Sequence, residues 1–226
     1  MNKKSHAVDW GSEPPTFAQL KEFFAQIEHE QVTQGIMQDI LRHKIGVTPE
    51  DIRNIWLFRF FMLGYPEAIG MNYKEFAKIV PYPEDKPGKL LVVKHELVSI
   101  DKQMELIGGK NRIDLSHLTN VVKVPLELIY WRYGVEDGGK MLNHSPHACI
   151  KIFEEEDRVS TVVEEGIAIC IQNPKVLEDH CIDLSGSKYG YINVPCLGLE
   201  KGIPYLDSCS LQDANIERGS ASCRKS

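Results

Sequence analysis

The chain predicts an α+β fold, with a helical N-terminal part packed on a small mixed or antiparallel sheet. Three observations carry that expectation. Apolar residues recur at helical spacing through residues 17–79. Short runs of β-branched and aromatic residues begin only at Leu90. The two kinds of segment then alternate irregularly, without the repeated βαβ unit of a parallel sheet. A composition of 42% hydrophobic and 26% charged residues over 226 positions suits a folded globular chain.

The elements follow in order. Residues 1–15 read as a flexible arm, because Pro14-Pro15 and the small polar residues before it offer no periodic face. Residues 16–54 read as an N-terminal helical extension. Thr16 caps a helix through Phe17, Leu20, Phe24 and Ile27, and a second uses Ile36, Met37, Ile40 and Leu41 before Gly46 stops it. Thr48-Pro49-Glu50-Asp51 is the clearest helix start, with a cap, a proline at the first turn and two acids at the positive end of the dipole. The run that follows, 55–63, is apolar except for Arg59. It is expected to be the central helix of the N-terminal part, buried on most sides, with Arg59 pairing an acid or lying along the helix.

A short helix over residues 73–79 ends at Pro81. Leu90-Leu91-Val92-Val93 then reads as a buried strand, 98–107 as a helix and 126–133 as a second strand. Ser145-Pro146 opens a helix that ends in the acidic run 154–157. Ser160 or Thr161 is expected to cap the next helix, 162–171, where Glu164 and Glu165 sit in a first turn that favours acids. Residues 194–199 and 203–206 flank Glu200-Lys201-Gly202 as a hairpin.

Charge and cysteine content narrow the function classes. The formal net charge is −6 and the pI near 5.8, so the basic excess of a nucleic-acid footprint is missing. No apolar stretch reaches the roughly 18–20 residues of a membrane helix. The lysines near the start have no apolar segment behind them, so no signal peptide is read, and a cytoplasmic location is expected. The first 113 residues are neutral; the whole deficit, and all six cysteines, lie beyond them.

Four strings mark that second half. They are Val163-Glu164-Glu165-Gly166-Ile167-Ala168, His180-Cys181-Ile182-Asp183-Leu184-Ser185-Gly186-Ser187, Val194-Pro195, and Gly219-Ser220-Ala221-Ser222-Cys223. In this order they resemble a bacterial family that carries only a domain-of-unknown-function label. Weaker similarity reaches upstream through Leu63-Gly64-Tyr65-Pro66-Glu67 and 90–107, so the resemblance implies a family-like α+β domain over 55–226. It implies no activity.

The strings suggest three kinds of chemistry. A zinc site can be drawn from His180 or Cys181 with Cys209 and Cys223, although zinc ligands usually come in close pairs and no Cys-x-x-Cys occurs. Cys149, Cys170 and Cys196 then read as small core residues. A nucleophile is the second possibility: Cys223 follows small residues, with His180 as its base. The third is a polar pocket lined by Asp183, Ser185, Ser187, Lys188, Ser220 and Ser222, whose glycine-containing loop offers hydroxyls and N–H groups to a ligand. The reading that results is a domain binding a small molecule or a protein partner through this pocket. Its alternative is a thiol- or metal-dependent enzyme using His180, Cys181, Cys209 and Cys223.

Overall fold

A computed structural model of the chain describes residues 48–225. The arm expected over 1–15 and the helices expected between Thr16 and Gly46 lie outside them. Contacts divide the chain into the units Met1–Asn54 and Ile55–Ser226, and nearly all described residues belong to the second.

Helix α1 (Pro49–Met62) begins at its predicted cap. The Thr48 hydroxyl accepts from the Asp51 N–H at 3.2 Å, and the Asp51 carboxylate accepts from the Thr48 N–H at 2.8 Å. Trp56, Leu57, Phe58 and Phe60 are buried, but Met62 is 62% exposed. Three consecutive buried residues span about 200° of the helix, and only Ile55 and Met62 are exposed in the run 55–63, so it is buried on most sides as expected. Helices α2 (Tyr65–Ala68) and α3 (Tyr73–Ile79) bring Tyr65 and Phe76 edge-on to Phe60, with ring centroids 4.5 and 6.2 Å away. Trp56 packs edge-on against Trp131 at 6.2 Å.

Strand β1 (Leu90–Val93) pairs antiparallel with β4 (Ile129–Arg132), and every residue of both is buried. The strand expected over 126–133 shortens to β4 because Leu126 and Leu128 face outward. Between them lie α4 (Ile100–Leu106), β2 (Lys110–Asn111), a 3-10 turn (Leu115–His117) and β3 (Leu118–Asn120). Helix α5 (Pro146–Glu155) starts as predicted, with the Ser145 hydroxyl accepting from the Ala148 N–H at 3.2 Å.

Strand β5 (Arg158–Ser160) leads into α6 (Val163–Gln172), whose residues 163–171 are all buried. Among the described residues, this helix is enclosed along nearly its whole length. Neither Ser160 nor Thr161 caps it. Ser160 is in β5, and the Glu165 carboxylate reaches back to the Val162 N–H at 3.0 Å. At the other end Arg59 donates to the carbonyls of Gln172 (3.0 Å) and Ile171 (3.5 Å) instead of pairing an acid, while its guanidinium lies over the Trp56 ring. A cation at a helix C-terminus satisfies carbonyls that have no partner within the helix.

After α7 (Val176–Asp179) the chain builds a mixed sheet. The hairpin of β8 (Asn193–Glu200) and β9 (Ile203–Ser210) turns at Lys201 and Gly202, both at positive φ (53° and 77°), as a two-residue loop between twisted strands requires. The other edge of β8 carries β6 (Cys181–Asp183) and β7 (Ser187–Tyr189). Strand β10 (Arg218–Ser220) joins β6 in parallel, β3 joins β7, and β2 joins β9 in parallel. Strand β11 (Ser222–Arg224) leaves this sheet to pair with β5. The C-terminal segment is thus tied down by pairing with β5.

Register sorts the side chains. Ile182, Leu197 and Leu206 share one face, which packs on α6 at Gly166; a methyl group there would lie 3.0 Å from Leu197 Cδ1 and closer still to Leu184. Cys181, Asp183, Cys196, Asp207, Cys209, Arg218 and Ser220 share the other.

Candidate functional site

Three polar centres are built into this frame. The first is structural. Helix α6 presents Glu165, fully buried, to β4, where it accepts from Arg132 Nε at 2.5 Å and the Tyr130 hydroxyl at 3.0 Å. Burial raises the Tyr130 phenol far above its ordinary range, and Glu165 adds to that. For Arg132, burial works against the charge, but the adjacent carboxylate outweighs it and the net shift is upward. Cys223 lies in the same neighbourhood, its thiol pushed up to about 12 by burial and then by Glu165. It is sealed in and protonated, which is the opposite of an activated nucleophile.

The second centre is on the thiol face of the sheet. Ligand atoms of Asp183, Cys196 and Cys209 all lie within 4.8 Å of one another, and all three residues are buried. The Cys209 thiol donates to the Asp183 carboxylate at 3.1 Å, and Arg218 Nε stands 3.9 Å from the same oxygen. Burial raises the Asp183 carboxyl, against the opposing effects of Cys209 and Arg218. Cys196 and burial together hold the Cys209 thiol protonated. Ser220, the register partner of Asp183, is 1% exposed; its hydroxyl finds no nitrogen or oxygen partner, and only the Cys149 thiol lies beside it.

The third centre opens to a cavity. His95 follows β1 and Glu164 comes from the first turn of α6. The His95 ring Nδ1 bonds Glu164 Oε1, and the His95 backbone N–H points at the same oxygen from 3.4 Å. Glu164 is 3% exposed, the His95 side chain 47%. Glu96 stands 3.5 Å from the same ring nitrogen but is exposed and paired with Lys94 at 3.2 Å. Beyond the pair is a cavity of about 170 Å³, lined also by Ser99, Ile100, Leu115, Leu118 and Asn120. A carboxylate on Nδ1 fixes the imidazole orientation and leaves Nε2 for another partner. A second, larger hollow is lined by Glu136, Glu156, Asp157, Arg158, Arg224 and Lys225, whose charges largely pair one another.

The residues singled out from the sequence distribute unevenly among these centres. Asp183 and Ser220 belong to the thiol face. Ser185, 2% exposed, has a hydroxyl with no partner. The Ser222 hydroxyl accepts from Arg158 Nε at 2.9 Å. Lys188 is on β7 opposite Thr119, half-buried. Ser187 is closest to the cavity without lining it: its hydroxyl accepts from the Val163 N–H at 3.3 Å and donates to Asn120 at 2.7 Å, which fixes a residue of the cavity wall. These six thus line neither cavity; five are packed in the interior, four on covered strands and Ser185 in the buried turn between β6 and β7.

The proposed zinc ligands also separate. His180 donates to the Asp137 carbonyl at 3.1 Å, Cys181 lies by the Tyr205 hydroxyl, and Cys223 is with Glu165. Cys209 keeps company with Cys196, which read as a core residue. Sequence reasoning missed His95 altogether, and missed Glu164 as more than a dipole partner. The alternation Cys181-x-Asp183, Cys196 and Asp207-x-Cys209 was the signal for the thiol face.

Comparison with known proteins adds a family and no activity. No curated protein and no solved structure matches the chain. A family model described as a family of unknown function, DUF5701, matches residues 59–205. The match takes in α6, His95, Asp183 and Cys196, and stops before Cys209 and the Gly219–Cys223 string that the resemblance had included. Because it spans more than half of the chain, the protein belongs to DUF5701, a family of unknown function.

Proposed function

We propose that the Ile55–Ser226 unit is a small-molecule-binding domain whose site is the cavity at His95 and Glu164. The observation behind this reading is one carboxylate. Glu164 is almost wholly buried, yet both of its contacts, from the His95 ring and backbone, fall on Oε1. A buried carboxylate is costly unless partnered, and Oε2 takes part in neither contact. Asn120 and Ser99 add polar groups, while Leu115, Leu118 and Ile100 supply an apolar wall. The ligand is therefore a compact molecule with a donor group, an amine, amide or hydroxyl, and a short apolar part. An engineered apolar cavity of about 150 Å³ takes one benzene, which sets the scale.

Of the six residues expected to line a polar pocket, only Ser187 bears on this cavity, through its hydrogen bond to Asn120. A cytoplasmic setting is supported by six free cysteines, five of them buried. The enzyme reading built on His180, Cys181, Cys209 and Cys223 has less support, since the four residues make separate contacts.

Ligand-observed NMR with isobutylamine, isobutyramide and isobutanol tests the reading. At least one should bind the full chain, bind more weakly to Glu164→Gln, and not bind to Leu118→Trp, which fills the cavity. Binding that both substitutions leave unchanged, or no binding by any of the three, would overturn it.

A further inference from the structure

We propose that Asp183, Cys196 and Cys209 form a zinc site on the thiol face of the sheet. Two sulfurs and a carboxylate oxygen within 4.8 Å of one another match what a single ion holds, since zinc–sulfur bonds of about 2.3 Å and zinc–oxygen bonds of about 2.0–2.2 Å bring tetrahedral ligand atoms within roughly 4 Å. They come from three adjacent strands, β6, β8 and β9, so the sheet itself fixes their spacing. Soft thiolates select a thiophilic divalent ion over magnesium or calcium.

Charge supports the same assignment. Binding releases the protons of Cys196 and Cys209 to solvent and forms two zinc–sulfur bonds and one zinc–oxygen bond. Two thiolates, one carboxylate and Zn²⁺ carry a net charge of about −1. Arg218, 3.9 Å from the Asp183 carboxylate, brings the site to neutrality. Without the ion the same guanidinium Nε is buried with no hydrogen-bond partner, and so is the Ser220 hydroxyl apart from a neighbouring thiol. Arg218 is placed to hold the ligating carboxylate, the usual task of groups behind a metal's ligands. Three protein ligands leave a fourth position for solvent, on the side where Cys181 and Tyr205 are only partly covered.

The test uses the full chain made in zinc-supplemented medium and purified without an affinity tag. Elemental mass spectrometry should find about one zinc per chain, falling at least roughly tenfold in Cys196→Ser and Cys209→Ser, and unchanged in Cys170→Ser, a buried cysteine elsewhere. Cobalt added to the zinc-free wild type should give the intense thiolate-to-metal absorption of a tetrahedral site, which decides the matter even if a variant fails to fold. Folded wild type with no zinc and no such absorption would overturn the proposal. So would zinc retained by both serine variants, or a Cys196–Cys209 disulfide under non-reducing conditions.

Discussion

Two buried polar clusters, one on each side of the sheet's apolar layer, answer the cost of burial in different ways. Around Glu165, an arginine, a phenol and a backbone N–H all point at one carboxylate, and the group is complete. Around Asp183 the partners are weak donors and a cation held at 3.9 Å, with an arginine nitrogen and a serine hydroxyl left over. A complete buried network fixes a fold; an incomplete one marks a place where something else belongs. The completeness of the hydrogen bonding, and not burial, sets the two carboxylates apart, since Glu165 and Asp183 are equally covered.

Four substitutions test that contrast. Glu165→Ala removes one partner of a buried ion pair and leaves the Arg132 charge without its carboxylate, so urea unfolding should show a loss of about 3–5 kcal/mol. A loss under about 1 kcal/mol would mean that Arg132 finds water. Next is Gly166→Ala, between the clusters. The added methyl runs into Leu184 and Leu197, and overpacking of about 1–3 kcal/mol should exceed the gain of up to about 1 kcal/mol in helix propensity. A stabilised variant would show that the seam between α6 and the sheet is loose.

Arg59→Met keeps the stem over Trp56 but removes the donors to the end of α6. A loss of about 1 kcal/mol is expected by thermal unfolding, and it should shrink little in salt because the Gln172 carbonyl contact is direct. The smallest effect is expected at Asp183, in metal-free protein. Its carboxyl is raised by burial, so the folded state holds the proton at higher pH than the unfolded chain does. Stability from the protonated form is lost as pH climbs from about 4 through the raised value. Asp183→Asn should therefore gain on the wild type over that range. A difference between the two that stays constant with pH would show that Arg218 already compensates the charge.

Much of the local structure was legible in the chain. Thr48 and Ser145 cap helices through side-chain bonds three residues away, which tertiary context barely alters. Leu90–Val93 is apolar at every position because both faces are covered, and Lys201-Gly202 dictates a tight hairpin. Sites were harder to read. The cap of α6 came from Glu165, a residue that also needed Arg132 from a distant strand. The serines of the C-terminal strings looked like pocket lining because serine and glycine suit both pockets and packed strands.

The sequence by itself determined the α+β class, most helix starts and the period-2 alternation that puts Cys181, Asp183, Cys196, Cys209 and Ser220 on one side of their strands. These follow from bonds and spacings within a few residues. Only the tertiary structure decided which of two adjacent glutamates is structural and which faces a cavity. Successive helical positions are rotated by about 100°, so Glu165 turns to β4 and Glu164 to the end of β1. It also decided that Cys209 meets Cys196 and not Cys223, because strand order, which no local pattern encodes, sends β9 along β8 and β11 away to β5.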